Sequence, residues 1–154
     1  GEKARVERFF RVDAAAFDPL DNPNRLRALL GYIASNEELV QLESTPNDSL
    51  PAFWAAFWKK RDPTPGTLRN ETRDEFLRRV EYADTHFNVL EAGWNSDMGR
   101  IYIRFGAPDQ IDRAPMGTTS LNQEIWHYLA RGLRFVFVDT EGFGRFRLVG
   151  SERG

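Results

Sequence analysis

Three aspartates, Asp97, Asp109 and Asp112, stand close together in the string GWNSDMGRIYIRFGAPDQID. By type and spacing they are the residues of this chain best suited to chemistry. Three carboxylates can bind a hard divalent cation or work as an acid and base pair. Each also has local work open to it. Asp97 lies near a helix start, where negative charge favours the dipole, and Asp109 follows Pro108, where a carboxylate can fix a turn by accepting from backbone amides. The two histidines, His86 and His127, fit no HExxH or other metal-ligand spacing. His86, beside Phe87, reads as a surface or boundary residue of a helix, and His127, between Trp126 and Tyr128, as a packed or satisfied strand residue. Cysteine is absent, which excludes disulfides, thiolate zinc sites and cysteine catalysis. There is no GxSxG elbow, and GFG at residues 142 to 144 is a turn with no helix after it, so no phosphate loop is read there. This inventory assigns no catalytic residue, no metal site and no cofactor. The competing reading is a metal-dependent hydrolase that uses the three aspartates with His127.

The wider composition narrows the partners. The 154 residues carry 21 Lys plus Arg against 23 Asp plus Glu, a formal charge of −2. Nucleic-acid binders usually show a concentrated basic patch, and here the C-terminal arginines alternate with acids, so no nucleic-acid partner is expected. The apolar runs, AAAF at 14 to 17 and FVFV at 135 to 138 among them and AFWAAFW at 52 to 58 the longest, fall far short of the ~20 residues of a membrane span, so none is expected in this segment. A start at Gly1 in place of Met is what a processed or excised chain shows, upstream of which a targeting segment can have been removed.

Residue periodicity then predicts the elements that must position these groups. Asn22–Pro23 opens a helix with the stripe Leu26, Leu29, Leu30 and Ile33, and Ser35 with Glu38 forms a capping box for a short second helix. Ser49 is expected to cap LPAFWAAFWKK, whose Phe53, Trp54, Phe57 and Trp58 make one aromatic face, read as core. Asn70 caps a helix of about 71 to 88 on Phe76, Val80, Ala83 and Phe87. The segment after Trp94 has two readings, an alternating strand on Ile101, Ile103 and Phe105 or a helix capped by Ser96 and stopped at Gly106-x-Pro108; agreement of the two end signals favours the helix. EIWHYL, LRFVFVD and RFRLVGS form an antiparallel meander. The opening KARVERFFRV suits a strand or a helix.

The string GWNSDMGRIYIRFGAPDQID resembles the motif of the bacterial GWxTD domain family, with Ser96 where the family name has Thr. The upstream FWKKRDPTPGTLRNETRDEFLRRVEYADTHF and the strands EIWHY, LRFVFVD and GFGRFRLV extend the resemblance over about residues 24 to 150. It implies bacterial origin and occurrence in larger, often exported proteins, hence a periplasmic or extracellular site, but no established activity. A looser likeness of layout links the C-terminal half to the small outer-membrane lipoprotein fold of the BamE-like type.

The expectation is therefore an α+β fold in one domain over 1 to 154, helical from about 22 to 92 and mainly β from about 93 to 150, with three or four antiparallel strands. Trp54, Trp58, Phe76, Trp94, Trp126 and Phe137 are expected to share an aromatic core. The motif residues Arg61, Asp62, Gly93, Trp94, Asp97, Gly106, Pro108 and Asp109 are read as structural. In this reading RDPTPGT packs on GWNSD, Trp94 is wedged beneath the helices, and Arg61 or Asp62 bonds the GWNSD backbone, with Glu71 joining Arg61 and Asp62 in an ion-pair network. Function is read as a non-enzymatic interaction or scaffold module with a protein partner, contacted through the sheet face or edge around Ile125, His127, Arg134 and Val136.

Overall fold

The computed structural model describes residues 18–115 and 121–153, so the opening KARVERFFRV string lies outside the described residues. The chain divides into two compact units, Gly1–Thr72 and Arg73–Gly154.

In the first unit, helix α1 (Pro23–Gly31) starts as the sequence predicts. Asn22 accepts a hydrogen bond from the Arg25 amide at 3.1 Å, Pro23 pre-sets the first turn, and Leu26, Leu29 and Leu30 are buried. Helix α2 (Asn36–Ser44) opens on the full capping box, with Glu38 N–H donating to Ser35 Oγ at 3.2 Å and Ser35 N–H to Glu38 Oε1 at 3.0 Å. Helix α3 (Leu50–Lys59) corrects one expectation, because Ser49 makes no side-chain cap bond. Residues Asn47–Ser49 form a 3-10 turn that runs directly into α3, so Ser49 already has helical dihedrals rather than the extended geometry a cap needs. Phe57 and Trp58 are buried, whereas Phe53 and Trp54 are half-buried at the edge of the same face.

Helix α4 (Glu71–His86) buries Phe76, Val80 and Ala83, the stripe its spacing predicts. The ambiguous segment is a helix, α5 (Asp97–Phe105), and Gly106 stops it at φ +83°, a left-handed value that glycine adopts without steric cost. Arg79 of α4 donates to the Ile103 carbonyl at 3.3 Å, satisfying one of the acceptors left over at the end of α5.

Four strands follow, β1 (Gln110–Pro115), β2 (Asn122–Tyr128), β3 (Leu133–Val138) and β4 (Arg147–Arg153), in an antiparallel sheet of order β1-β2-β3-β4. Strand β1 shows no clean apolar alternation because it is an edge strand, and its residues from Gln110 to Ala114 are exposed. One sheet face carries Trp126, Tyr128, Phe135 and Phe137, which pack with Met98 of α5 and with Phe87, Tyr102 and Phe105 around them. The β3–β4 turn is pinned by buried Asp139, whose carboxylate accepts from Gly142 at 2.9 Å and Gly144 at 2.8 Å, both glycines having positive φ. Among the described residues, five α-helices, mostly N-terminal, and a C-terminal four-stranded antiparallel sheet make this an α+β fold. Trp58, Phe76, Trp126 and Phe137 are buried as expected; Trp54 and Trp94 are half-buried.

Candidate functional site

The GWNSD segment is built by close backbone approach. A Cβ on Gly93 would lie 1.9 Å from the Ala83 carbonyl oxygen in α4, and one on Gly99 would lie 1.8 Å from the Gly93 carbonyl oxygen, so both positions require glycine. The buried Ser96 hydroxyl donates to Gly93 O at 2.7 Å and accepts from Gly99 N–H at 3.0 Å, capping α5 while holding the segment's own carbonyl. Asp84 Oδ1 accepts from Trp94 N–H at 2.8 Å. The expected partners of this backbone, Arg61 and Asp62, bond elsewhere. Arg61 grips the Glu38 carboxylate at 2.6 and 2.8 Å and lies 3.7 Å over the Phe57 ring, because Glu38 is a buried charge that needs a bidentate donor. Asp62 accepts from Thr64 N–H, and Glu71 accepts from the Thr64 hydroxyl, so the expected Arg61–Asp62–Glu71 ion-pair network is replaced by a local turn clamp. Gly93 and Gly99 are the tightly packed residues of the motif, whereas Trp94, expected to be wedged in, is half-buried.

Asp97, Asp109 and Asp112 take separate partners. Asp97 accepts from Leu148 N–H of β4 at 2.8 Å and pairs with Arg100. Asp109 accepts from Leu129 N–H at 2.7 Å, which ties the start of β1 to the end of β2. Asp112 accepts from Gln110 Nε2 and faces His127 Nε2, each at 2.9 Å, and these two bonds, Gln110 first, hold its carboxyl below the usual carboxylate range. Among the described residues no group of three His, Cys, Asp or Glu is arranged to hold a metal ion.

Convergence occurs elsewhere, in a cleft of about 410 Å³ that lies wholly within the second unit. Its α4 side is a stack of rings. His86 lies on Tyr82 with centroids 3.9 Å apart, and Tyr82 lies on Tyr102 of α5 at 4.3 Å with only 10° between planes. Phe87 and Trp126, 5.7 Å apart, also line the cleft, with Ile111 and Arg113 of β1 and Phe146. Burial pushes the Tyr102 hydroxyl above the ordinary tyrosine range, with Tyr82 adding to the effect. Glu124 accepts from the Trp126 indole at 3.1 Å and from Arg113 Nε at 3.3 Å, so both of its oxygens are engaged. Arg145 is held by Glu141, which raises its pKa. An apolar, aromatic pocket with a few fixed polar groups is the usual form of a ligand site. The sequence reading missed it because its residues come from α4, α5, β1, β2 and the β3–β4 loop. One signal was present: Tyr82 and His86, four residues apart, lie off the Phe76–Val80–Ala83 stripe and put two rings on the polar side of α4.

The four residues expected to bind a partner come together as the strand alternation requires. Ile125 stands opposite Val136, and His127 opposite Arg134, on the sheet face away from Trp126 and Phe135. All four are half-buried; His127 is bonded to Asp112, and Arg134 to Glu152.

A family model described as the GWxTD domain matches residues 2–148 of the chain. No curated protein and no solved structure matches it, and the likeness of layout to the BamE-like fold is without support from either comparison. Among the described residues no helix is long and apolar enough to cross a membrane.

Proposed function

The chain belongs to the GWxTD domain family, and from that premise we propose that it is a non-enzymatic protein-interaction module of a larger bacterial, exported protein, taking a segment of its partner into the aromatic cleft. The observation that carries this reading is the contrast between two sets of polar groups. Ser96, Asp97 and Asp109 are bonded to backbone amides and serve the fold. At the cleft, by contrast, stacked aromatic rings adjoin polar groups that face a ligand, the Arg113 guanidinium as donor and His86 Nε2 as acceptor on the neutral ring. Apolar anchoring with a few orienting polar contacts is how a peptide side chain is held. A metal-dependent hydrolase gains no support, since the three carboxylates do not meet.

A second surface is favoured by one observation of its own. Ile125 and Val136 lie side by side across the β2–β3 pair, an apolar patch on the outer sheet face with His127 and Arg134 next to it. Titration of the ¹⁵N-labelled chain with N-acetyl-phenylalanine amide, with N-acetyl-alanine amide as control, separates the two. The cleft reading expects shifts at the Trp126 indole and the Phe87 amide from the aromatic probe alone. Shifts confined to Ile125 and Val136 would move the site to the sheet face, and no response at either would sink the cleft reading.

A further inference from the structure

We propose that the partner segment is an extended acidic peptide that adds as a further strand along the open edge of β1, with an apolar side chain in the cleft and a carboxylate on Arg113; this deepens, and rests on, the cleft reading above. Strand β1 ends the sheet, and from Gln110 to Ala114 it is exposed, with no second strand partner among the described residues. Such an edge presents unpaired N–H and C=O groups to an incoming strand. Pro115 lacks an N–H, which sets the limit of the pairing there.

The edge is also the rim of the cleft. Ile111 pairs with Trp126 and Arg113 with Glu124, so these alternate β1 residues share the aromatic face of the sheet and line the cavity. A strand added about 4.8 Å outside β1 places every second side chain on that same face. Main-chain pairing and cleft filling are thus parts of one binding event, in which alternate side chains give the specificity.

Charge selects the partner. Arg113 is 67 % exposed and donates to Glu124 through Nε, while its two terminal nitrogens have no partner among the described residues. His86 donates Nδ1–H to the Tyr82 carbonyl at 3.0 Å, so on the neutral ring Nε2 is an acceptor and Arg113 is the donor of this rim. The nearby carboxylate, Glu124, accepts from Arg113 Nε and from the Trp126 indole, and this holds the Arg113 guanidinium at the rim with its terminal N–H groups available to an incoming carboxylate. A carboxylate two residues from the apolar anchor satisfies that arrangement, and a lysine in its place meets like charge.

Fluorescence anisotropy with the full chain and short labelled peptides tests this. The probes are a threonine-rich peptide carrying phenylalanine and glutamate two residues apart, its lysine-for-glutamate counterpart, and the glutamate peptide N-methylated on alternate amides in both possible registers. The glutamate peptide should bind at least about tenfold more tightly than the lysine one. N-methylation in one register should abolish binding, and Arg113→Gln should erase most of the glutamate preference while leaving the phenylalanine contribution. Equal binding of all the peptides would overturn strand addition. N-methylation without effect alongside a persistent glutamate preference would overturn it too, while leaving the cleft as the site. Failure of every peptide would overturn the inference alone if N-acetyl-phenylalanine amide still shifts Trp126, and the cleft reading with it if that amide also fails.

Discussion

Gly93→Ala puts the backbone account of the GWNSD segment to its sharpest test. The added methyl carbon would sit 1.9 Å from the Ala83 carbonyl oxygen, 2.5 Å from its carbon and 2.7 Å from Asp84 Cα, where separations under 3.0 Å are essentially never seen. Relief needs a movement of roughly 1 Å, the difference between 3.0 and 1.9 Å. The atoms in the way are helix backbone beside the fully buried Ala83, so no flexible side chain can give. Overpacking of a core costs about 1–3 kcal/mol when side chains can adjust, so a backbone clash belongs at about 3 kcal/mol or above. Because Ser96 Oγ and Gly99 both bear on the Gly93 carbonyl, a displaced Gly93 also loosens the α5 cap. For a chain of this length that corresponds to a melting temperature lower by roughly 6–12 °C. The assay is equilibrium urea unfolding followed by circular dichroism and tryptophan fluorescence, with hydrogen exchange to place the loss in α4 and α5. Gly66→Ala is the control, since nothing lies within 4 Å of a Cβ there and its φ is not left-handed; it should change stability by less than about 1 kcal/mol, in either direction. A Gly93→Ala protein within about 1 kcal/mol of the parent, the size of an average substitution, would refute the reasoning.

Ser96→Ala should cost about 1–2 kcal/mol by removing the α5 cap and the bond to Gly93 O, as read by chemical denaturation, whereas Ser96→Thr keeps the hydroxyl and should lose less. Asp97→Ala should speed hydrogen exchange at the Leu148 amide, because its acceptor is gone, while exchange in β2 stays unchanged. Arg61→Ala should cost about 1–3 kcal/mol, below the figure for a fully dry ion pair because Arg61 keeps a quarter of its exposure. Arg61, with the Ser35 amide and Lys60 assisting against burial, holds the Glu38 carboxyl well below its ordinary 4.5. The stability from Glu38 is therefore fully present above about pH 4.5 and falls away as acid drives the pH down toward the lowered value. Acid denaturation of Arg61→Ala should show a shallower loss below pH 4.5 than the parent, and parallel curves would count against the pair.

Much of the fold can be read in the chain because its signals are local. The Asn22 and Ser35 caps, the stripe on α4, the stop at Gly106 and the three aromatic strands each depend on residues within a turn or two of one another, and such short-range preferences carry over into the folded state. Where both end signals of α5 agreed, they outweighed an alternation that argued for strand. Strand β1 needed the neighbouring β2 to define it, since an exposed edge has no buried face to impose a pattern. The partners of charged residues were likewise beyond local reading. Arg61 pairs with a glutamate 23 positions earlier, and the three aspartates that look like a cluster in sequence each found a different amide or side chain. The GWNSD residues show their importance in sequence but not its cause, which is that Gly93 must let one backbone lie on another. The cleft belongs wholly to tertiary structure. His86 and Tyr82 are near in sequence, but Tyr102, Arg113, Trp126 and Phe146 join them only when α4, α5 and the sheet pack, because a cavity is defined by the surfaces that fail to fill it.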